Sequence, residues 1–327
     1  MRRRDFIKLI GGGAAAWPVG ALAQPERVRL IAILMGLAED DPETKTRLVK
    51  FRNDLEKLGW SEGRNIRIEI RFAPAGSNAQ SLAKELVALQ PDVLLAHSAQ
   101  VAGAVFRETR TIPVVFVNVS DPIGAGFILS LARPGGNFTG VLHYEAGILG
   151  KWVAMLKEIA PNLNRVAVVT DPKSPIFNYF VRAGEAAARP LGIELVSAPV
   201  ENVADIERAI GSFADMPNGG LIFPPDITTL THRDLIISLA AKYRLPAVYP
   251  FRLFVEKGGL MSYGTDQVDM FGQTASYIDR ILRGANPADL PVQTPTKYET
   301  ILNLKTAKAL GLSVSPGLIV AADEVIE

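Results

Sequence analysis

The sequence predicts an α/β protein folded as two doubly wound parallel-sheet lobes, and three observations carry that prediction. Short runs such as residues 28–35 are apolar almost without a break, the pattern of parallel strands covered on both faces. Between these runs lie longer stretches with apolar residues at helical spacing. The alternation is then interrupted by a Pro- and Gly-rich stretch and restarts with a similar layout.

Each element can be justified in turn. Residues 28–35 read as the first strand. A helix follows from about Thr44, with Leu48, Phe51, Leu55 and Leu58 on one stripe and Gly59 as its stop. A strand at 66–72, a helix at 78–89, a strand at 93–96, a helix at 99–109 and a strand at 114–119 complete the first series. Pro122, Gly124, Gly126 and the loop Arg133-Pro134-Gly135-Gly136-Asn137 break the rhythm. The second series runs helix 147–160, strand 165–170, helix 177–189, strand 193–197, helix 203–213, strand 220–223, helix 231–243 and strand 247–249. Each series has an Arg-led strand (Arg27-Val28, Arg165-Val166), and each following helix ends near Leu-Gly (Leu58-Gly59, Leu191-Gly192). Two such open units in one chain imply two lobes with a cleft between them.

The N-terminus reads as an export leader. Met1-Arg2-Arg3-Arg4-Asp5-Phe6-Ile7-Lys8 pairs Arg3-Arg4 with a basic start, a mildly apolar run follows, and Ala21-Leu22-Ala23 forms a small-x-small cleavage site. The run is shorter than the roughly 20 apolar residues that span a bilayer. A twin-arginine signal peptide over residues 1–23, cleaved near Ala23, is therefore expected, and with it a periplasmic location. The chain has no cysteine, so neither lipid attachment at cysteine nor disulfides are available, and the fold must rest on core packing.

About 300 residues remain after cleavage, enough for two domains. A composition of 48% hydrophobic and 21% charged residues is that of a globular protein rather than a disordered one. Of the formal charge of +1, the leader carries a net +3, which leaves about −2 for the remainder. No basic stripe survives to recruit nucleic acid.

The chemistry of the common enzyme classes is missing. Gly11-Gly12-Gly13 lies in the leader and follows no strand, so it is no cofactor loop. Neither a phosphate loop nor a Gly-x-Ser-x-Gly elbow is present. His97, His143 and His232 are scattered without metal-ligand spacing. No cofactor, no metal and no catalytic residue is expected, although distant carboxylates meeting in the fold would leave an exported α/β enzyme as the rival reading.

In open α/β sheets a ligand binds beyond the carboxyl ends of the strands. Those ends are Met35-Gly36, His97-Ser98 and Asn118-Val119-Ser120-Asp121 in the first lobe. In the second they are Thr170-Asp171 with Ser174, Pro224-Pro225-Asp226 and Tyr249-Pro250. Small polar residues there cap the helices that follow, and an exposed helix N-terminus suits a ligand carboxylate. For each of these residues the competing reading is a cap or turn with no ligand contact, above all for Asp121, Asp171 and Asp226 beside prolines. Tyr144, Phe177, Tyr179 and Tyr263 lie near interlobe positions and are candidates to stack on a ligand, with core packing the stronger reading for Phe177.

These segments also resemble a known family. Ile112-Pro113-Val114-Val115-Phe116, Asp121-Pro122-Ile123-Gly124 and Pro134-Gly135-Gly136-Asn137-Phe138-Thr139-Gly140 are similar to the substrate-binding proteins of ABC transporters, TrpX-like members included. So are Gly258-Gly259-Leu260-Met261-Ser262-Tyr263-Gly264, Asp279-Arg280-Ile281-Leu282-Arg283-Gly284-Ala285 and Pro295-Thr296-Lys297-Tyr298-Glu299. The resemblance implies a type I periplasmic binding protein fold, with lobes joined by three crossover strands near 140–144, 262–264 and 291–295. Lobe 1 would comprise 24–141 plus 265–291, and lobe 2 would comprise 142–264 plus 292–327. It further implies a monomer that binds a small organic molecule in the cleft by hinge closure and delivers it to an inner-membrane ABC permease. Some members of the family bind aromatic amino acids. The effector domain of a transcription regulator shares the fold, but the leader occupies the place of its DNA-binding helices.

Overall fold

The computed structural model describes residues 27–144, 147–295 and 297–327. The expected leader over 1–23 and its cleavage site near Ala23 lie outside the described residues. The first lobe opens with β1 (Arg29–Met35), α1 (Pro42–Lys57), β2 (Ile66–Phe72), α2 (Ala79–Ala88), β3 (Val93–His97), α3 (Ala99–Glu108), β4 (Val114–Val119) and β5 (Phe138–Leu142). Then follow α4 (Ile148–Ile159), β6 (Arg165–Thr170), α5 (Phe177–Ala188), β7 (Glu194–Pro199), α6 (Val203–Ala214), β8 (Gly219–Ile222), α7 (Ile227–Thr231), α8 (Arg233–Lys242), β9 (Ala247–Tyr249), α9 (Arg252–Glu256) and β10 (Met261–Gly264). The chain ends with α10 (Gln267–Leu282), β11 (Glu299–Asn303), α11 (Leu304–Ala309), α12 (Pro316–Ala321) and β12 (Glu324–Ile326).

The first sheet has the order β2-β1-β3-β4-β5, all parallel. The second runs β12-β11-β10-β9-β8-β6-β7, so its β7-β6-β8-β9-β10 portion repeats the order of the first. Among the described residues, only the β10–β11 pairing is antiparallel. Both sheets therefore switch direction of winding beside their first strand, between β1 and β3 and between β6 and β8. The inner strands β3 and β4 are buried at every position, as expected of sequences that are apolar but for His97 and Asn118 near their carboxyl ends, whereas β2 at the edge is largely half-buried.

The strands that cross between the lobes are tied together by backbone and side-chain hydrogen bonds. Leu142 N–H donates to the Gln293 carbonyl at 2.8 Å and Gln293 N–H donates to the Gly140 carbonyl at 3.0 Å. The Trp152 indole donates to the Tyr263 carbonyl at 2.8 Å, and the Tyr144 hydroxyl donates to the Pro250 carbonyl at 2.6 Å. The α10 helix returns to the first lobe, where it packs on α1 and on β4.

Two differences from the sequence reading have physical causes. Residues 138–142 pair with β4 as a fifth strand, although the Pro- and Gly-rich loop before them hides the apolar run Phe138–Leu142. The helix expected over 231–243 is α8, and a short helix that the sequence reading did not name, α7, precedes it, because Asp226 caps a turn at Ile227 and the backbone leaves helical geometry at His232 (φ −98°, ψ 25°).

Gly140 marks the tightest backbone approach in the first sheet. A Cβ there would fall on the Phe116 carbonyl oxygen, a backbone atom that cannot move aside. Gly140→Ala is expected to destabilise the protein by about 1–3 kcal/mol, while Gly136→Ala, where the added Cβ meets nothing within 4 Å, leaves the denaturation midpoint unchanged. A chemical denaturation series on both variants checks this.

Candidate functional site

The carboxyl ends of the two sheets face each other. On the first lobe, β1 and β3 end at Met35-Gly36 and His97-Ser98, and β4 ends near Asn118 and Ser120. Ser98 and Asn118 both hold left-handed backbone (φ 85° and 61°), a costly geometry for residues with a Cβ. Ser98 accepts from Val101 N–H at 3.4 Å and so caps α3, which realises the cap reading without removing the residue from the cleft.

His97 is the centre of a buried polar group. Gly36 N–H donates to its Nδ1 at 3.2 Å, while Arg47 Nη1 and Asn118 Nδ2 stand 3.2 and 3.0 Å from its Nε2. Its ring lies 5.4 Å from that of Phe271 on α10. Burial, then the neighbouring Arg47 charge, holds the His97 pKa well below the usual histidine value, so the ring is neutral. Arg47 has no exposed surface. Its Nη2 donates to Glu43 at 3.0 Å, one turn earlier on α1. Burial lowers its pKa, while Glu43 raises it. Across the same wall, Gln267 Nε2 stands 2.9 Å from His143 Nε2, and His143 stacks between Tyr144 (4.0 Å) and Phe251 (5.4 Å). Burial also holds His143 well below the histidine range.

The second lobe presents Asp226 at the end of β8. Its carboxylate accepts from Thr229 N–H at 3.0 Å, which caps α7, and from Asp171 N–H and the Thr170 hydroxyl at 3.3 and 3.4 Å. Burial raises its pKa to about 6, against the pull of the backbone N–H groups. Asp171 accepts from Lys173 N–H at 2.8 Å and from the Thr228 hydroxyl at 3.0 Å. Ile227, Leu230 and Phe251 supply an apolar surface beside these groups.

The lobes are closed on each other. Gln100 of α3 donates to Asp226 at 2.8 Å, and Arg233 of α8 pairs with Asp41, the N-cap of α1, at 2.9 Å. Ile227 lies where a Cβ on Gly36 would be, so glycine is what lets the second lobe approach the first. The space left between His97, Ser98, Asn118, Asp226, Ile227 and Phe251 is ≈ 10 Å³, about the room of one water. A groove of ≈ 310 Å³ continues outward between Pro74, Gln100, Asp171 and Thr228. A larger cavity of ≈ 500 Å³ lies at the opposite end of the second lobe, around Leu163, Asn218 and Arg244, away from both sets of strand ends. Several side-chain atoms sealed in the cleft have no partner: Arg47 Nε, Asn118 Oδ1, Ser120 Oγ, His143 Nδ1, Ser174 Oγ and Gln267 Oε1. Buried polar atoms without partners cost roughly 1–3 kcal/mol each, and Thr44 Oγ1, Arg165 Nε, Arg233 Nε and Gln273 Oε1 are further examples.

The structure gathers His97, Ser98, Asn118 and Asp226 around the residual cavity, with Gly36 and Thr170 in contact with members of that group. Ser120 and Ser174 are buried with unpartnered hydroxyls. Met35 is buried among apolar residues, and Pro224 is buried at the end of β8. Asp121 accepts from Gly124 N–H at 2.8 Å in a turn. Tyr144 and Tyr263 join an aromatic stack with Tyr298 at the crossover, at 6.1 and 5.3 Å. Tyr179 packs edge-on against Phe180 at 5.2 Å. Phe177 opens α5 half-buried, with its N–H donating to the Ser174 carbonyl at 3.0 Å. The sequence reading missed Arg47, Gln100, Gln267 and Phe251, and did not place His143. Arg47 carried a signal, since it is a charge on the very stripe of Thr44, Leu48, Phe51 and Leu55 that α1 buries. Among the described residues no group of three or more His, Asp and Glu stands close enough to hold a metal ion. No helix among them is long and apolar enough to cross a membrane.

A two-lobed α/β architecture with paired strand-end walls is the architecture of a solute-binding protein. A family model for the ABC transporter substrate binding protein matches residues 36–326, and the chain belongs to that family. It is 26% identical to the tyrosine-binding protein of Clostridioides difficile (strain R20291) over 263 residues, 80% of this chain and 75% of that one. Its fold matches an ABC domain in complex with L-Trp from Streptococcus pneumonia, with a TM-score of 0.83 and 23% identity over 91% of this chain and 99% of that chain. A ligand-free, open substrate binding protein with adhesive properties from Clostridium difficile gives a TM-score of 0.64 at 25% identity, covering 91% and 99%.

Because burial raises Asp226, its contribution to stability is present below the ordinary aspartate pKa and is lost as pH rises through about 6. The melting temperature is expected to fall across that window, and Asp226→Asn, which keeps the cap, is expected to flatten the fall. Melting curves between about pH 4 and pH 7 check the sign.

Proposed function

We propose that this protein is the exported, periplasmic receptor of an ABC importer, which closes on a small organic ligand and presents the closed form to an inner-membrane permease. The observation that supports this most is the set of buried, unpartnered polar atoms along facing walls of two hinged lobes. Membership of the substrate-binding family supports the transport role, and the basic leader with Arg3-Arg4 supports the periplasmic location. The lobes divide as 24–141 plus 265–291 and 142–264 plus 292–327, with three crossovers acting as the hinge. Ligand contacts come from His97, Ser98, Asn118 and Ser120 on one wall and Thr170, Ser174 and Asp226 on the other, with Phe251 against the ligand body. Amino acids and aromatic or other carboxylates are the ligand class, since members of the family that resemble this chain include a tyrosine-binding protein. The protein binds without turnover and works as a monomer with no cofactor.

Ligand that favours the closed state does so by its differential affinity for it. A saturating ligand is expected to stabilise the mature protein by about 2.7 kcal/mol at a hundredfold excess over Kd. Thermal-shift screening of amino acids, small carboxylates and aromatic acids, followed by product analysis of each hit, checks this. Chemical conversion of a hit ends the receptor reading. Ser98→Ala combined with Ser174→Ala is expected to weaken the hit, and unchanged affinity removes these two strand ends from the site.

A further inference from the structure

We propose that the cleft takes a ligand with a primary ammonium group, which binds the Asp226 carboxylate in the place now held by Gln100 and lays its body in the adjoining groove. The proposal rests on the receptor reading and assigns a ligand chemistry to it.

The charges of the second lobe carry the first half of the argument. Asp171, Glu201 and Asp226 border the groove and the residual cavity, and Lys173 is the base that borders them. Lys173 is tied to Glu201 by an ion pair. The nearby arginines are taken as well, Arg233 by Asp41 and Arg47 by Glu43. Among the described residues, neither Asp171 nor Asp226 forms an ion pair. Asp171 acts on Asp226 as a like charge and adds to the burial that holds its pKa at about 6. A carboxylate sealed beside another with no cation is costly, and a cationic ligand relieves both.

The contact from Gln100 marks where that cation goes. Gln100 Nε2 reaches across from α3 of the first lobe and donates to Asp226 Oδ2 at 2.8 Å. Thr229 N–H, Asp171 N–H and the Thr170 hydroxyl, all from the second lobe, stand farther off at 3.0, 3.3 and 3.4 Å. A neutral amide from the facing wall thus holds a place where a charged N–H would bind roughly twice as strongly. Gln100 lines the groove of ≈ 310 Å³, Asp226 lines the residual cavity of ≈ 10 Å³, and Ile227 lines both. The Gln100–Asp226 bond is therefore a partition between the two spaces. Withdrawing Gln100 joins them into a room of about 300 Å³, the lower end of the range for small-molecule sites.

Asn118 is an independent sign that a polar group enters there. It lines the residual cavity with Asp226, is 6% exposed, and its Oδ1 has no partner. Its Nδ2 stands 3.0 Å from His97 Nε2, and turning the amide over exchanges its two ends without answering both. An ammonium carries three N–H donors, enough for Asp226 and Asn118 Oδ1 together. Ile227 and Phe251 give the same space an apolar side for the carbon that bears the ammonium.

Isothermal titration of the mature protein with the standard L-amino acids and simple primary amines tests the head group without any mutation. Each hit is set beside its N-acetyl derivative and, for an amino acid, beside its deaminated acid. Derivatives that bind about tenfold or more weakly than the parent support the proposal. A derivative that binds closer to its parent than that overturns it and leaves the receptor reading standing. Binding confined to carboxylic acids without an amino group does the same, whereas a protein that binds none of the amino acids, amines or acids overturns both. Asp226→Asn is expected to lose about tenfold or more in affinity for the amino compound, while Gln100→Ala keeps the preference for it over the deaminated acid. An Asp226→Asn protein with wild-type circular dichroism and wild-type affinity overturns the assignment, as does a Gln100→Ala protein that has lost the preference.

Discussion

Parallel strands all end at the same edge of their sheet, and in this protein two such edges face each other. Everything distinctive about the cleft follows from that constraint. The apolar strands must be covered on both faces, which confines polar side chains to the ends. Those ends then carry Ser98, Asn118, Thr170 and Asp226, and the helices that follow them direct their N-termini into the same space. Because β7-β6-β8-β9-β10 repeats the order β2-β1-β3-β4-β5, the switch point of one lobe lies opposite the switch point of the other. Gly36 completes the arrangement, since any side chain there would hold Ile227 away.

The two walls are chemically unequal. The first lobe contributes Arg47, His97, Asn118 and Gln267. The second contributes His143, Thr170, Ser174 and Asp226 together with the apolar Ile227, Leu230 and Phe251. Polar groups thus come from both lobes, and the apolar cover named here comes from the second. Both histidines remain neutral for the same reason, namely burial with no acid beside the ring, so neither acts as a charge in the cleft.

The fold was largely legible in the sequence, because nearly continuous apolar runs such as Val114–Val119 have few alternatives to a covered parallel strand. What periodicity could not show was β5, whose apolar run follows a loop full of Pro and Gly, and the short helix α7, which depends on the Asp226 cap. The strand-end rule reached His97, Ser98, Asn118 and Asp226 because those positions follow from chain order alone. It could not reach Gln267 or Phe251, which enter the cleft from a helix returning late in the chain and from the loop after β9. Arg47 was hidden differently. It sits on a helix that the stripe rule treats as apolar, and only the fold shows that the first turns of that helix border the cleft while Phe51 and Leu55 border the core.

The contacts that hold the lobes together are too few to fix closure by themselves. Asp41–Arg233 is one ion pair with side chains 11% and 12% exposed, near the rim. Pairs of that kind contribute about 0–1 kcal/mol when exposed and gain from burial only after desolvation is offset. Gln100–Asp226 adds one hydrogen bond to a carboxylate, about 1.5–3 kcal/mol. Against these stand the unpartnered polar atoms that closure seals from water, each of similar size and opposite sign. The balance between open and closed therefore depends on what answers those atoms, and a molecule that does so acts on the equilibrium with the whole of its differential affinity. On the receptor function proposed above, recognition and closure are the same event, because the groups that would read a ligand are the ones whose burial opposes closing without it.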